Sequence, residues 1–351
     1  MSWLGVKGAE RAADILAESW RRGRFPHALA FVGPHGVGKR TFARGLAQAI
    51  LCEARAPGSL AACGLCPGCV QVAGDTHPDL LEVERPQDKQ DLPVQTVREL
   101  CDWFALKPMR GPGKFAILDD ADHLTTEASN AFLKTLEEPP PGAILVLIAS
   151  AVEILLPTIL SRCQVVRFES LPIPVVTELL IERGLAGDHA EATRLAALGE
   201  GSAAKSILLA DPEVGRFRRG LIDQLGAAEG FSPPELAARM LAFFRQAGKE
   251  SLEHRRRGVL IVGELTRFFR SALETGLGLD PARPDPDDAP ASSALAADHT
   301  PEDLVALIER CLLAEYQIER RLYLPLVVES FAHDLGGVLN RGRELTLATT
   351  P

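Results

Sequence analysis

Residues 28–41, ALAFVGPHGVGKRT, combine a short apolar strand at 28–32, a glycine-rich turn and the start of a helix. The frame G-x-x-x-x-G-K of a phosphate-binding loop is matched by Gly33, Gly36, Gly38 and Lys39. In such a loop the glycines let backbone N–H groups surround an anion, the lysine adds a positive charge, and the N-terminus of the next helix faces the phosphates. The stretch therefore predicts a phosphate-loop α/β domain.

The position after the lysine departs from this frame. A Ser or Thr hydroxyl normally holds Mg²⁺ there, whereas this chain has Arg40. The nearest hydroxyl, on Thr41, is displaced by one residue, which is about 100° around a helix. A glycine-rich turn without a ligand is the alternative interpretation, and the loop alone leaves nucleotide hydrolysis undecided.

The composition is that of a globular protein with two or three domains: 351 residues, 46% hydrophobic and 24% charged. The net charge of −9 argues against a protein that grips nucleic acid over its whole surface. Arginines at 21–24 and 255–257 are more typical of solvated helix faces than of DNA contacts. Since the sequence contains neither an apolar run of about 18 residues nor a secretion signal, we expect a cytoplasmic location without a membrane span.

Four of the seven cysteines fall within residues 52–69, in the pattern C-x10-C-x2-C-x2-C. They are Cys52, Cys63, Cys66 and Cys69. Two cysteines separated by two residues aim both sulfurs at one metal ion, and four thiolates suit a closed, structural Zn²⁺ site. The sequence therefore predicts a structural zinc module, and unrelated free thiols in a loop are the alternative.

Acidic residues follow a second buried strand. The strand at 115–118 ends in Asp119 and Asp120, where a metal-bound nucleotide needs an oxygen ligand or a base. An acidic strand end is also common in ordinary turns, but the phosphate loop favours the functional interpretation. Unbroken apolar strands, including 143–149, alternate with helices and predict a parallel sheet covered on both faces.

Longer stretches make a family resemblance plain. NAFLKTLEEPPPGAILVLIAS at 130–150 and LPTILSRC at 156–163, together with HALAFVGPHGVGK at 27–39 and the four-cysteine insert, resemble the bacterial clamp-loader branch of the AAA+ ATPases. The resemblance spans residues 25–168. Such clamp loaders are hetero-pentamers of ATP-hydrolysing gamma/tau subunits with non-hydrolysing subunits, among them delta, and they place the sliding clamp on primer–template DNA. The resemblance implies that Arg162 of the SRC sequence reaches the ATP of a neighbouring subunit as an arginine finger.

Three positions differ from the ATP-hydrolysing subunits of that family, which have Ser or Thr after Lys39, Glu after Asp119 and an arginine in a Gly-Ser-x-Arg motif. The corresponding residues here are Arg40, Asp120 and Ala204. These changes remove the Mg²⁺ hydroxyl, shorten the base by a methylene and remove a phosphate-sensing charge, and each would slow turnover. By this resemblance, the sequence favours a non-hydrolysing subunit that acts within the DNA polymerase holoenzyme. The nucleotide-site candidates are Gly33, Gly36, Gly38, Lys39, Thr41, Asp119 and Asp120, and binding of ATP or ADP without hydrolysis stays open.

Two other functions remain as alternatives. One is an ATP-hydrolysing gamma/tau-type subunit in which Thr41 or water binds Mg²⁺. The other is an AAA+ protein of a different class, such as a DNA-junction motor or a zinc-dependent nucleic-acid binder.

The prolines at 172 and 174 mark a predicted boundary, after which the sequence predicts helices only. The resemblance implies three domains: an AAA+ nucleotide-binding-like domain at 1–171 with the cysteine module at 52–69, a small helical lid at 172–210, and a helical collar at 211–351 that mediates oligomerisation. The helical pattern of 211–351 by itself would equally suit any helical adaptor. Within the collar, the Pro- and Asp-rich segment 280–300 is predicted to be a flexible loop.

Overall fold

A computed structural model gives the fold of the chain. It describes residues 6–86, 89–227, 232–282 and 285–348, with side chains described up to residue 340. The described residues form two compact units, one comprising 6–179 and 199–204 and the other 180–198 and 205–348. This division falls within the predicted lid, so the three-domain boundaries stay a prediction.

The first unit is built on a five-stranded parallel sheet. Its strands are β1 Ala28–Val32, β2 Leu80–Val83, β3 Phe115–Leu118, β4 Ile144–Ala149 and β5 Gln164–Arg167. They are arranged in the order β2-β3-β4-β1-β5, and all neighbouring pairs are parallel. Because the carboxyl ends of parallel strands lie at one edge, the glycine-rich loop after β1 and the acidic residues after β3 share that edge.

Helices cover the sheet, as expected for strands β1, β3 and β4, in which every residue is buried. The helices are α1 Glu10–Arg21, α2 Lys39–Ile50, α3 Pro67–Ala73, α4 Val94–Ala105, α5 Thr126–Glu137, α6 Pro157–Leu160 and the first part of α7 Ile173–Glu182. The Thr125 side chain caps α5 by accepting a hydrogen bond from the backbone N–H of Ala128 at 3.0 Å. This α/β architecture confirms the predicted fold class.

An aromatic cluster fixes α2 on the sheet. Phe31 of β1 packs against Phe42 of α2 at a ring-centroid distance of 5.6 Å, and Phe168 lies 5.2 and 5.3 Å from these two rings. Phe31 and Phe42 are almost fully buried. Because the glycine-rich loop joins β1 to α2, this packing holds both ends of the loop.

The described part of the second unit is helical throughout. Its helices are the end of α7, α8 His189–Leu198, most of α9 Ala203–Leu209, α10 Pro212–Gly226, α11 Pro233–Arg245, α12 Ser251–Gly276, α13 Ala289–Asp298, α14 Pro301–Glu319 and α15 Leu324–Ala348. A Cβ atom added to Gly258 of α12 would lie only 3.3 Å from the Cδ1 atom of Ile318 in α14. The small residue therefore lets these two long helices approach closely.

The structure differs from the prediction of a loop at 280–300, because α13 occupies residues 289–298 of that segment. A buried ion cluster anchors the start of this helix. Asp288 pairs with Arg218 and lies 2.7 Å from Arg267, and Arg218 in turn lies 2.8 Å from Glu264. Composition alone indicated a loop because these arginines are distant in sequence.

Candidate functional site

The glycine-rich loop has the backbone that its motif requires. Gly36 and Gly38 have φ angles of +77° and +95°, in the left-handed region that favours glycine. The carbonyl of Gly36 accepts a hydrogen bond from the N–H of Ala204 at 3.2 Å. A Cβ atom on Gly36 would lie 2.1 Å from the hydroxyl oxygen of Ser202. The loop is therefore in close contact with the segment that begins α9.

Lys39 is buried within this loop, with 6% of its surface exposed. Its ammonium group donates to the carbonyl of Pro34 at 2.7 Å and to that of Gly33. Burial lowers the pKa of Lys39, and the negative charges of Asp122 and Asp119 oppose this effect. The predicted phosphate-binding lysine is thus held against the carbonyls of its own loop.

Arg40 lies among three carboxylates, one within β2 and two that directly follow β2 and β3. Its Nη2 atom is 2.9 Å from Glu82, its Nη1 atom pairs with Glu84, and Nη1 lies 3.8 Å from Oδ2 of Asp119. Burial disfavours the charge of Arg40, but the hydrogen bond with Glu82 and the nearby negative charges raise its pKa. Arg44 binds the other oxygen of Glu82 at 2.7 Å. Arg40 is therefore a fixed counter-ion at this edge of the sheet.

The two adjacent aspartates occupy different environments. Burial raises the pKa of Asp119, and repulsion from Asp120 adds to this, while a hydrogen bond from the N–H of Asp120 and the charge of Arg40 oppose it. Asp120 has a left-handed backbone with φ of +55°, and its carboxylate lies 3.6 Å from Arg85. Asp119 thus faces Arg40, whereas Asp120 faces Arg85.

These residues do not fit a Mg²⁺ ion bound at the loop. Mg²⁺ requires near-octahedral coordination by oxygen atoms. Here the position of the hydroxyl ligand is taken by Arg40, and the guanidinium group of this residue lies beside Asp119. Thr41 is exposed on the surface of α2. The loop glycines and Lys39 are therefore retained, but the guanidinium group of Arg40 lies where the Mg²⁺ ion would bind.

Arg162 lies at the end of α6, and its described hydrogen bonds are with residues of the α5 and α6 region. Its Nη1 atom donates to the carbonyl of Thr158 at 2.9 Å and to the hydroxyl of Ser161 at 3.0 Å. Its Nη2 atom forms an ion pair with Glu137, the last residue of α5. The side chain is 32% exposed, so the guanidinium group is accessible at the surface of this chain.

The four cysteines predicted to bind a metal are brought together in space. The sulfur atoms of Cys52, Cys63, Cys66 and Cys69 all lie within 4.8 Å of one another. The Cys63–Cys69 and Cys66–Cys52 sulfur distances are both 3.9 Å. A tetrahedral site with Zn–S distances of about 2.3 Å has sulfurs about 3.8 Å apart. The cluster therefore fits one tetrahedral metal ion.

The backbone around the cysteines is folded to suit thiolates. The N–H groups of Cys63, Cys66 and Cys69 donate to the sulfurs of Cys52, Cys63 and Cys66 at 3.3–3.4 Å. Burial opposes ionisation of Cys66, but the backbone N–H groups of Cys69 and Glu53 lower its pKa to about 6. Burial raises the pKa of Cys69 to about 12. A bound metal ion would stabilise the thiolate form of Cys69, which otherwise stays protonated.

Asp79 is a structural carboxylate that sequence reasoning missed. It is fully buried, and it accepts hydrogen bonds from the N–H groups of Met109, Arg110 and Gly111 at 2.7–2.9 Å. Burial alone would raise its pKa, but these three bonds lower it. Asp79 therefore fixes the loop before β3. The stretch THPDL carried no signal for this role, because the donors lie 30 residues further along the chain.

The parallel sheet, the glycine-rich loop after β1 and the acidic residue after β3 define a phosphate-loop α/β fold. Residues 8–172, just under half of the chain, match the family model described as DNA polymerase III, delta subunit.

Individual relatives carry the names of subunits of the same polymerase. The chain is 36% identical over 184 residues to the DNA polymerase III subunit delta' of Pseudomonas aeruginosa, covering 52% of this chain and 55% of the relative. It is 32% identical over 184 residues to subunit delta' of Bacillus subtilis, covering 52% and 54%. It is also 32% identical over 217 residues to subunit tau of Escherichia coli, covering 61% and 33%. The chain thus spans between a third and just over half of these curated relatives.

Among solved structures, a gamma subunit-related protein of Thermotoga maritima aligns with 94% of this chain and 99% of its own, at 18% identity and a TM-score of 0.42. Among the described residues, no helix has the length and apolar character needed to cross a bilayer.

Proposed function

We propose that the chain is a clamp-loader subunit of the delta-prime type, which takes part in DNA replication without hydrolysing ATP itself. The observation that carries this proposal is the position of Arg40, whose guanidinium group lies among Glu82, Glu84 and Asp119. Hydrolysis at a phosphate loop depends on a metal ion that neutralises the developing charge. A fixed arginine beside Asp119 disfavours that ion, and Asp120 replaces the glutamate that would orient water.

The same loop retains what nucleotide binding needs. The glycines keep their left-handed backbone, and α2 begins at Lys39 with its N-terminal N–H groups toward the loop. Lys39 would exchange the carbonyls of Gly33 and Pro34 for phosphate oxygens. ATP or ADP is therefore a candidate ligand, bound without turnover.

The active contribution of the subunit is assigned to Arg162 as a trans-acting arginine finger. A guanidinium group offers a planar, permanently charged fork that matches the oxygens of a phosphoryl group. Partial exposure of Arg162 at the end of α6 supports this role. Its proposed partners are the gamma/tau and delta subunits of a cytoplasmic hetero-pentamer. Through this complex, the chain would act on the sliding clamp and on primer–template DNA.

The cysteine cluster is proposed to hold one structural Zn²⁺ ion. Four thiolates at tetrahedral spacing leave no open coordination position, so the site suits stabilisation rather than catalysis. The side-chain amide of Gln48 in α2 donates to the carbonyl of Cys69 at 2.9 Å. The metal would thereby fix the insert against the helix that follows the phosphate loop.

A gamma/tau-type ATPase is the second candidate. It is favoured by the retained Lys39 and by the match to subunit tau of Escherichia coli. In that case the purified chain would hydrolyse ATP, and Lys39→Ala would abolish the activity.

The test is ATP hydrolysis by the purified chain, alone and in the assembly reconstituted with its ATPase and delta partners, the clamp and primed DNA. We expect no turnover by the chain alone. In the assembly we expect Arg162→Ala to lower the rate by about tenfold or more, since fingers of this kind typically contribute 10³–10⁵-fold and other interfaces of the ring remain intact. Arg162→Lys, which keeps the charge but not the fork, is the matched control and should restore little activity. An unchanged rate with Arg162→Ala would remove this residue from the mechanism.

A further inference from the structure

Arg162 is held on its own chain by a single carboxylate. Its Nη2 atom pairs with Glu137, and its Nη1 atom donates to Thr158 and Ser161. The Nε atom of Arg162 is buried and has no hydrogen-bond partner among the described residues. The guanidinium group thus has one charged acceptor and two neutral acceptors, and its buried Nε–H group is unsatisfied.

Helix geometry explains why a carboxylate at this position attracts the arginine. Glu137 is the last residue of α5, where the helix dipole places partial negative charge and a carboxylate is unfavourable. Thr158 belongs to α6, whose last carbonyls have no partner within the helix. A guanidinium group between them neutralises Glu137 and satisfies the Thr158 carbonyl.

This arrangement competes with phosphate binding. A phosphoryl group is recognised by two parallel N–H bonds from the fork of the guanidinium. One arm of that fork is paired with Glu137 and the other with Thr158 and Ser161. An incoming phosphate therefore cannot bind both arms until the carboxylate is displaced.

We propose that Glu137 restrains Arg162 on its own subunit, and that a polyphosphate presented by a neighbouring subunit displaces this carboxylate. The inference rests on the proposed role of Arg162 as an arginine finger. Glu137 is a positioning residue that sets how often the finger is free. Because the Glu137 side chain is 52% exposed, water replaces the arginine readily and the restraint is weak.

The size of the effect follows from this exposure. Solvent-exposed ion pairs are worth about 0.2–1 kcal/mol, which corresponds to a change of about 1.5- to 5-fold in the population of the free finger. Glu137→Gln keeps the length and the hydrogen-bonding oxygen but removes the charge. We therefore expect the ATP hydrolysis rate of the reconstituted assembly, without DNA and clamp, to rise by about 1.5- to 5-fold in kcat with little change in KM.

The experiment compares four variants in the same assembly: Glu137→Gln, Arg162→Ala, the double variant and Glu138→Gln. Glu138 is the matched control, because it is the exposed neighbour of Glu137 and has no ion pair among the described residues. The double variant should match Arg162→Ala if Glu137 acts through the arginine. A merely structural role would change the melting temperature without this dependence on Arg162.

The outcomes separate the two proposals. If Arg162→Ala leaves the rate unchanged, the finger itself is refuted. If Arg162→Ala lowers the rate while Glu137→Gln leaves it unchanged or lowers it, the finger stands and the restraint by Glu137 is overturned. A rise that persists in the double variant also overturns the restraint.

Discussion

Replacing Arg40 by threonine restores the hydroxyl of the phosphate-loop frame and leaves three carboxylates without their shared cation. The side chain of Arg40 is 39% exposed, and its partners Glu82, Glu84 and Asp119 are 17–44% exposed. Partly exposed pairs contribute about 0.2–1 kcal/mol each. With the added repulsion among the three carboxylates, we expect Arg40→Thr to lower the free energy of unfolding by about 1–2 kcal/mol.

The assay is thermal unfolding followed by circular dichroism, with Arg40→Lys as the control that keeps the charge. A loss of about 1–2 kcal/mol corresponds to a melting temperature lower by about 2–8 °C for a unit of this size, and Arg40→Lys should lose less than half as much. Millimolar Mg²⁺ should restore part of the stability of Arg40→Thr, because the freed carboxylates gain a metal cation. It should leave the parent protein unchanged.

We also expect that Arg40→Thr does not hydrolyse ATP, since Asp120 still replaces the glutamate that would orient water. Two results would refute this account. A variant as stable as the parent would show that Arg40 is not the counter-ion of the three carboxylates. Steady ATP turnover by Arg40→Thr with Mg²⁺ would show that this one residue had blocked an otherwise complete catalytic site.

Two further predictions concern the carboxylate and the thiols that fix the first unit. Asp79→Asn should cost about 2–4 kcal/mol in urea unfolding at pH 7, because an amide satisfies fewer of the three backbone N–H donors. Folding lowers the pKa of Asp79. The stability that Asp79 contributes should therefore be complete above its unfolded pKa of about 3.9, and be lost as the pH falls through the lower folded pKa. Equal stability of the parent and the variant at pH 7 would contradict this role of Asp79. Chelation should remove one zinc ion per chain and lower the melting temperature, and rebinding at pH 7 should release a proton from Cys69, whose pKa is about 12 without metal. Metal analysis measures the zinc content, and a pH indicator dye measures the released proton. A zinc-free protein as stable as the zinc-bound protein would contradict a structural role of the metal.

Periodicity predicted the main elements because the sheet is buried on both faces. Strands β1 and β3 match the predicted 28–32 and 115–118, and β4 begins one residue later than predicted. Strand β2 was missed because Glu82 interrupts its apolar run, as an edge strand permits. Helix α3 was missed because the Pro- and Gly-rich composition around the cysteines resembles a loop. Local composition thus failed where tertiary contacts decided the structure.

The candidate site was predictable to the extent that it follows a local motif. The loop glycines and Lys39 follow one sequence motif, and the four cysteines lie within 18 positions. Their spacing alone was therefore enough to predict that each set forms one site. The carboxylates that pair with Arg40 and Arg162 could not be predicted from a local motif. Glu82 lies 42 residues from Arg40, and Glu137 lies 25 residues from Arg162. Only the order of the strands and the ends of the helices place these charges side by side.

The contrast between these two arginines argues for a division of roles within one chain. Arg40 has three carboxylates around it, and hydrogen bonding together with the nearby negative charges raises its pKa despite burial, so leaving this position would expose three repelling charges. Arg162 has one carboxylate that is half exposed, and one of its own N–H groups is unsatisfied. Removing Arg162 from its position costs one weak ion pair and two hydrogen bonds to neutral acceptors. A phosphate group would replace them with stronger, bidentate bonds. The number of carboxylates around each guanidinium group therefore makes Arg40 a permanent part of the fold. Arg162, with one exposed carboxylate, can be released as its proposed role as an arginine finger requires.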